Sequence, residues 1–374
     1  MVRSASVADA GHPVNAGHGG SIGSRQVCRP RHTVTGVTRR LTEVAKYVGV
    51  SEATVSRVLN GRPGISEGTR TAVLTALDVL GYERPTKLRG ERARLVGLVL
   101  PELQNPIFTA FAEVVAGALA KRGFTPVLCT RTEEGVSEAD YVDMLLDQHV
   151  SGVIFAGGLY AQADADHEHY RRLHERGLPV VLVNAAIDGI GFPTVSADDS
   201  VAVQQAYGHL RSLGHDRIGL VLGPEDHVPS SRKLAAARSI AAGLATSSTV
   251  DSERTIFSME GGQAAATRLY KRGITGVVCA SDVLGLGAVR AARRLGLSVP
   301  GEVSVVGYDD SVFMACTDPP LTTIRQPIEA MGQAAVSLLV NQVGGNDVPA
   351  EELFFDTELV VRGSTAPAKT ASTR

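Results

Sequence analysis

The chain has 374 residues, 44% of them hydrophobic and 20% charged, with a formal net charge of −2. It reads as a soluble globular chain long enough for two or three domains. No run of about 18 apolar residues occurs, which excludes a membrane-spanning helix, and the N-terminus lacks the apolar segment of a secretory signal. The near-neutral total hides an asymmetry. Residues 1–90 hold 13 Lys and Arg against 6 Asp and Glu, whereas residues 91–374 hold 24 against 33. A basic head on an acidic body points to a polyanionic partner for the head alone.

Residues 1–38 are rich in Gly, Ser, His and Val without periodicity, as in GHPVNAGHGGSIGS, and are expected to be a disordered extension. His12 and His18 belong to that tail rather than to a metal site. Residues 39–82 form the first folded unit. Leu41, Val44, Ala45 and Val48 have helical spacing. Gly49 can take the positive φ that ends a helix, and Ser51 can cap a second one. That second helix sets Val55, Val58 and Leu59 inward and leaves Glu52, Ala53, Ser56, Arg57 and Asn60 on a polar face. Two short helices joined at a glycine make a helix-turn-helix, whose polar face can enter a major groove or be simply solvated. Ser66 caps a third helix with Val73, Leu74, Leu77 and Leu80 on one face, ending at Gly81.

Residues 83–94, ERPTKLRGERAR, are a basic linker with Leu88 as its only large apolar residue. From 95 to 365 the texture becomes α/β. Apolar strand-like runs at 95–101, 125–130, 152–157, 179–184, 218–223, 254–259, 276–281 and 303–310 alternate with helical stretches. The helices are expected near 106–122, 137–148, 166–176, 199–213, 231–245, 261–272, 283–295 and 327–341. Such alternation makes doubly wound parallel sheets. The series is too long for one sheet, and a break near 184–198 divides it into two similar lobes. Ligands in this architecture bind outside the carboxyl ends of the strands, here in a cleft between lobes. Residues 366–374 are expected to be a flexible tail.

Cys28, Cys129, Cys279 and Cys316 lie far apart, with no CxxC and no Cys/His ligand spacing. Free core thiols in a reducing cytoplasm are expected, with no zinc site, disulfide framework or other cofactor. Ser230 and Ser231 lie near Asp226 and His227 but on no nucleophile elbow, and their loop is expected to face the cleft. No GxGxxG follows a strand and opens a helix. The chain is therefore not expected to be an enzyme.

The stretch VAKYVGVSEATVSRVLNGRPGISEGTR (44–70) carries a specific resemblance. So do NPIF (105–108), HLRSLGHDRIGLVLG (209–223), RRLGLSVPGEVSVVGYDDS (293–311), PPLTTIRQP (319–327) and TELVVRGST (357–365). From about Arg40 to Thr365 the chain resembles the lactose-repressor/galactose-repressor type (LacI/GalR) of bacterial transcription regulators. The resemblance implies a small all-α helix-turn-helix head and a periplasmic-binding-protein-like two-lobed core. It also implies a homodimer on a pseudo-palindromic double-stranded DNA operator, and a small effector, often a sugar or nucleoside. The expected place of action is the cytoplasm, at the nucleoid, and the expected role that of a repressor. The rival reading is a solute-binding transport protein of the same core fold, which would need an export signal and no basic head.

On this reading Glu52, Ala53 and Arg57 read bases, with Arg57 suited to a guanine edge and Glu52 to a cytosine amino group. Thr42, placed at the first helix's N-terminus, and Ser51, Thr54, Ser56 and Asn60 suit phosphates, with Ser51 equally fit as a cap. The linker departs from the family's Pro-Asn and Ala-Arg-x-Leu pattern, so Leu88 is its only candidate minor-groove wedge, and tether and hinge both remain open. Effector contacts are expected from Asn105, Phe108, Asn184, Arg232, Lys233, Ser281, Asp282, Asp309 and Phe313. Lys233 stands where sugar-binding members carry an arginine, and Ser281-Asp282 where they carry Asn-Asp. Asp309 also fits a strand-end cap, and Asp198 and Asp199 read as helix caps.

Overall fold

A computed structural model describes residues 2–5, 35–59, 62, 64–80, 94–131, 135–243 and 250–369. Asn60, Leu88 with the linker up to 93, and most of the expected N-terminal extension lie outside the described residues. The rest falls into two compact units, a head at 35–80 and a core comprising 2–5 and the residues from Arg94 onward.

The head has three helices, α1 (Thr35–Val48), α2 (Glu52–Leu59) and α3 (Glu67–Val79). Gly49 ends α1 at φ 75°, and the N–H groups of Gly49 and Val50 both reach the Ala45 carbonyl at 2.9 and 3.0 Å. A side chain would be strained at that φ, which is why glycine serves there. Ser51 Oγ accepts the Thr54 N–H at 3.1 Å and Ser66 Oγ the Thr69 N–H at 3.2 Å, so both expected caps form. Val44, Ala45, Val55, Val58, Val73, Ala76 and Leu77 are the buried center. One expectation is corrected. No proline or competing cap interrupts 35–41, so α1 starts at Thr35 and Thr42 lies mid-helix, away from any terminal dipole.

The first lobe of the core is built on a seven-stranded sheet. Its strands are β1 (Val2–Ala5), β2 (Arg94–Leu100), β3 (Phe124–Thr130), β4 (Gly152–Ala156), β5 (Val180–Val183), β6 (Thr194–Ala197) and β12 (Glu352–Phe355), in the order β1-β12-β6-β5-β4-β2-β3. All neighbours are parallel except β1, which runs antiparallel to β12. Strand residues alternate between two cores, as period-two geometry requires. Val96, Leu98, Ile154 and Val181 pack with α4 (Pro106–Ala120) and α11 (Ile328–Val343). Val99, Val153, Phe155 and Leu182 pack with α5 (Glu138–Asp147) and α6 (Glu168–Glu175).

The second lobe has six strands. Its members are β7 (Ile218–Leu222), β8 (Asp251–Arg254), β9 (Gly276–Cys279), β10 (Ser304–Asp309), β11 (Thr322–Arg325) and β13 (Glu358–Val360), in the order β13-β11-β10-β9-β7-β8. Its helices are α7 (Asp199–Ser212), α8 (Val228–Gly243), α9 (Met259–Lys271) and α10 (Asp282–Arg294). Leaving out the antiparallel edge strands and β12, each lobe has its first strand between its second and third, the plan of a doubly wound fold with a switch point beside that first strand. The chain crosses between lobes three times, at 197–199, 325–328 and 355–358.

Several expected boundaries move. The strand expected at 254–259 lies earlier, at Asp251–Arg254, because Ser258 caps α9 by accepting the Gly261 N–H at 3.0 Å. Helix α11 returns to the first lobe rather than extending the second. The strands β6, β11, β12 and β13 are three or four residues long and too short for their alternation to stand out. Val2–Ala5 is not disordered but pairs with β12, whose edge backbone groups would otherwise lack a sheet partner. The start of the expected tail is also packed, since Ala366 N–H donates to Ser304 Oγ at 3.1 Å and Ala368 N–H to the Leu213 carbonyl at 2.8 Å. Cys129 and Cys279 are buried free thiols, but Cys316 is exposed. No described helix is long and apolar enough to cross a membrane.

Candidate nucleic-acid interface and effector cleft

In the head, Val55 and Val58 anchor α2, which leaves Glu52, Ala53 and Arg57 exposed on its outer side. Thr54 and Ser56 are half-buried beside them. The Ser51 hydroxyl both caps α2 and touches the Thr54 hydroxyl at 2.9 Å. Glu52 is engaged within the head, since its carboxylate accepts the Thr42 hydroxyl at 2.7 Å. Any cytosine contact by Glu52 therefore competes with that bond, whereas the Ala53 and Arg57 side chains meet no such competitor among the described residues.

The core holds an open cavity of about 570 Å³ between its lobes, lined by Ala163 and Asp164 of the first lobe and Glu225, Asp226, Val228, Ser231, Arg232 and Ala235 of the second. Buried Glu138 and half-buried His167 hold the first lobe's wall in place. Glu138 accepts the Leu159 N–H at 3.2 Å, and His167 Nε2 lies 3.1 Å from the carbonyls of both Leu159 and Gln162. The two walls touch directly, through a bridge between Gln162 and His227 and through the Ala163 N–H donating to the Asp226 carbonyl at 2.8 Å.

Of the residues expected to meet an effector, Arg232 lines this cavity. Its two terminal nitrogens donate to both oxygens of Glu352 at 2.6 and 2.9 Å. Burial opposes the Arg232 charge, and the Glu352 carboxylate more than restores it, leaving the guanidinium above its ordinary pKa. Lys233 is buried, paired with Asp199, and sits 4.0 Å from the Tyr308 ring centroid. Asp199 is thus the partner of Lys233 rather than a cap. The capping at α7 is done by Asp198, which accepts the N–H groups of Ser200 and Val201 at 2.9 and 3.1 Å.

Gln326, in the second crossing, links Asn184 to Asp309. Asn184, at φ 71°, accepts the Ala197 N–H at 3.0 Å and donates to Gln326 at 3.2 Å. Gln326 donates in turn to Asp309 Oδ1 at 2.7 Å, while Asp309 Oδ2 is buried without a hydrogen-bond partner. Asp309 sits at φ 119°, and burial, then the nearby Asp282, raises its pKa. Asp282 is fully buried behind it, accepting the Thr323 hydroxyl at 2.6 Å and the Ser311 N–H at 2.7 Å, and burial pushes its carboxyl up to about 6.

Asn105 and Ser281 are buried caps of α4 and α10. Phe108 is half-buried in the first lobe, and Phe313 is exposed on a 3-10 turn. Sequence reasoning missed Asp164, Glu225, Gln326 and Glu352. Gln326 lay in a recognised motif, PPLTTIRQP, and could have been singled out. Glu352 lies on a four-residue strand with no motif to signal it.

A three-helix reading head and a ligand-sized cleft with three chain crossings define a DNA-binding transcriptional regulator. Comparisons with known proteins agree. Residues 40–85 match the family described as bacterial regulatory proteins, lacI family, and residues 207–365 match a periplasmic binding protein-like domain. The chain is 54% identical over 338 residues to the HTH-type transcriptional regulator reg1 of Streptomyces lividans, covering 89% of this chain and 98% of that protein. It is 52% identical over 337 residues to the HTH-type transcriptional regulator MalR of Streptomyces coelicolor, with the same shares covered. Among solved structures, a transcriptional regulator CelR–cellobiose complex is similar at TM-score 0.65 and 33% identity, over 87% of this chain and 99% of that one. The lac repressor dimer bound to operator and the anti-inducer ONPF is similar at TM-score 0.65 and 28% identity, over 87% and 98%. The chain belongs to the LacI family of bacterial regulatory proteins.

Proposed function

We propose that the chain is a homodimeric repressor whose affinity for a pseudo-palindromic operator is set by a small sugar held between the core lobes. The observation that carries this reading is the open cavity between lobes joined by three crossings, in a chain whose other unit is a helix-turn-helix. Its volume of about 570 Å³ lies within the roughly 300–1,000 Å³ range of small-ligand clefts. Carboxylates, a hydroxyl and a guanidinium on its walls suit a polyhydroxyl ligand. The CelR relative is recorded with cellobiose and the lac repressor as an operator-bound dimer, which supports carrying both features to this chain.

In this mechanism Arg57 contacts a guanine edge, Ala53 a thymine methyl and Glu52 a cytosine amino group, while Ser51, Thr54, Ser56 and Asn60 position the helix on phosphates. Effector draws the lobes together about the Asn184–Gln326–Asp309 junction and changes the spacing of the paired heads. Such coupling is worth about 1–3 kcal/mol. The protein acts in the cytoplasm and catalyses nothing. His227 touches Ser230 at 2.9 Å, but desolvation lowers its pKa to about 3, which leaves it too weak a base near neutral pH.

The test is a gel shift with DNA flanking the coding region, joined to a thermal-shift screen of sugars. Specific retention of one fragment, altered by a sugar that also raises the melting temperature, is the expected result. Failure to retain any fragment at low salt, with or without cell extract, would sink the repressor reading.

A further inference from the structure

Building on the sugar reading, we infer that Glu352 is a specificity residue that makes the cleft reject anionic effectors, such as sugar phosphates, and accept neutral ones. It does so by occupying Arg232. An arginine facing a ligand cavity is ordinarily a phosphate or carboxylate receptor, because its planar fork matches two oxygens at once. Here that fork is filled from within. Glu352 comes from β12 of the first lobe and Arg232 from α8 of the second, and both carboxylate oxygens are used, at 2.6 and 2.9 Å. The side chains are 30% and 14% exposed, so solvent screens the pair only in part. The Ser196 hydroxyl donates to the same carboxylate, and the guanidinium lies 5.8 Å from the Phe354 ring centroid. The pair is thus fixed on both sides.

The other charges sharpen the selection. The remaining charged groups on the cavity wall are Asp164, Glu225 and Asp226, all acidic. Two neighbouring cations are engaged elsewhere. Lys233 is paired with Asp199, and Arg254 donates to the carbonyls of Gly223 and Pro224 at 3.3 and 3.1 Å. A phosphate entering this space meets carboxylates and no open cation among the wall residues, whereas sugar hydroxyls can donate to those same carboxylates. Discrimination of this kind comes from the repulsive element as much as from the attractive one.

The test uses the full chain, titrated calorimetrically with inorganic phosphate, glucose 6-phosphate, glucose and cellobiose at matched ionic strength. The unaltered protein is expected to show no heat with either phosphate. Glu352→Gln and the near-isosteric Glu352→Met each free Arg232 and are expected to bind glucose 6-phosphate about tenfold or more tighter than the unaltered chain. The double variant Arg232→Met/Glu352→Gln is expected to lose that gain. The inference is overturned if the unaltered protein binds glucose 6-phosphate as tightly as the neutral sugars. It is equally overturned if both folded variants stay blind to phosphate, or if neither variant folds, which would make the pair a structural tie alone. Phosphate gained by the variants with no sugar bound by any form would leave the exclusion of anions by Glu352 standing and remove the sugar reading.

Discussion

The head and the core place their candidate functional groups differently. Among the described residues, the head packs a center of seven from Val44 to Leu77 and keeps Ala53 and Arg57 outside it. In the core, Lys233, Asp282 and Asp309 are themselves buried and bonded, Lys233 to Asp199, Asp282 to Ser311 and Thr323, and Asp309 to Gln326. Recognition and stability are therefore separable in the head and coupled in the core. A surface that must be rebuilt for each operator benefits from the first arrangement. A switch that must have two discrete positions benefits from the second, because packed polar networks rearrange as units.

The largest break in this comparison is expected at the buried pair of the second lobe. Lys233→Met leaves Asp199 buried without its cation, which typically costs about 3–5 kcal/mol. Burial already raises the Asp199 pKa, with Lys233 the chief opposing influence, so the loss falls on a group with little other support. Denaturant unfolding of the full chain reads the effect. Lys233→Met/Asp199→Leu should recover most of it, since no lone charge then remains buried. Equal losses in the single and double variants would show that packing against Tyr308, not charge, is what Lys233 contributes.

The head is expected to respond in the opposite sense. Arg57→Ala should cost about 1–3 kcal/mol in the ratio of operator to random-sequence binding, while weak salt-dependent binding persists. Denaturant unfolding should be unchanged, because Arg57 is exposed and outside the head's center. An unchanged specificity ratio would remove Arg57 from the reading face.

The same contrast explains what could be read from the chain alone. The head was legible because its signals are local: Gly49 and Ser51 set the turn, and the spacing of Val55 and Val58 sets the buried face. The βα series was legible because continuous apolar runs such as LVGLVLP mark strands covered on both faces. The start of α1 was missed because nothing in TGVTRR marks a boundary. The junction was only partly legible. Asn184 and Asp309 follow recognisable strands, but Glu352 and Gln326 act across gaps of 120 residues from Arg232 and 142 from Asn184, a distance no periodicity spans. Asp282 and Ser281 were assigned to the effector from their loop position. Their burial and bonding within the second lobe depend on packing that the sequence does not display.

A smaller effect should appear with pH at the interlobe wall. His227 is walled by protein, and desolvation, then Lys233 and Arg254, lowers its pKa to about 3 from the ordinary 6.5. The folded state holds it neutral while the unfolded chain protonates it. Its contribution is therefore complete above 6.5 and lost progressively as pH falls toward 3. At pH 5.5 the loss is on the order of 1 kcal/mol. His227→Gln should flatten that part of the stability profile relative to the unaltered chain. Parallel profiles for the two proteins between pH 7 and about 5 would mean that the ring titrates normally.

The smallest expected effect returns to the head. Ser51→Ala removes the hydroxyl that accepts the Thr54 N–H at 3.1 Å, a cap loss of typically about 1 kcal/mol. Because the head's center is small, the loss should concentrate there rather than spread through the chain. Hydrogen exchange of the α2 amides in the intact protein should quicken about fivefold, with the strand amides of both lobes unmoved. Ser51→Asn should restore protection, since asparagine caps as well as serine. Operator affinity then separates the two roles of this hydroxyl. If capping is all it does, Ser51→Asn recovers binding together with protection. If binding stays low while protection returns, the hydroxyl also serves a phosphate, and the separation of stability from recognition in the head ends at this residue.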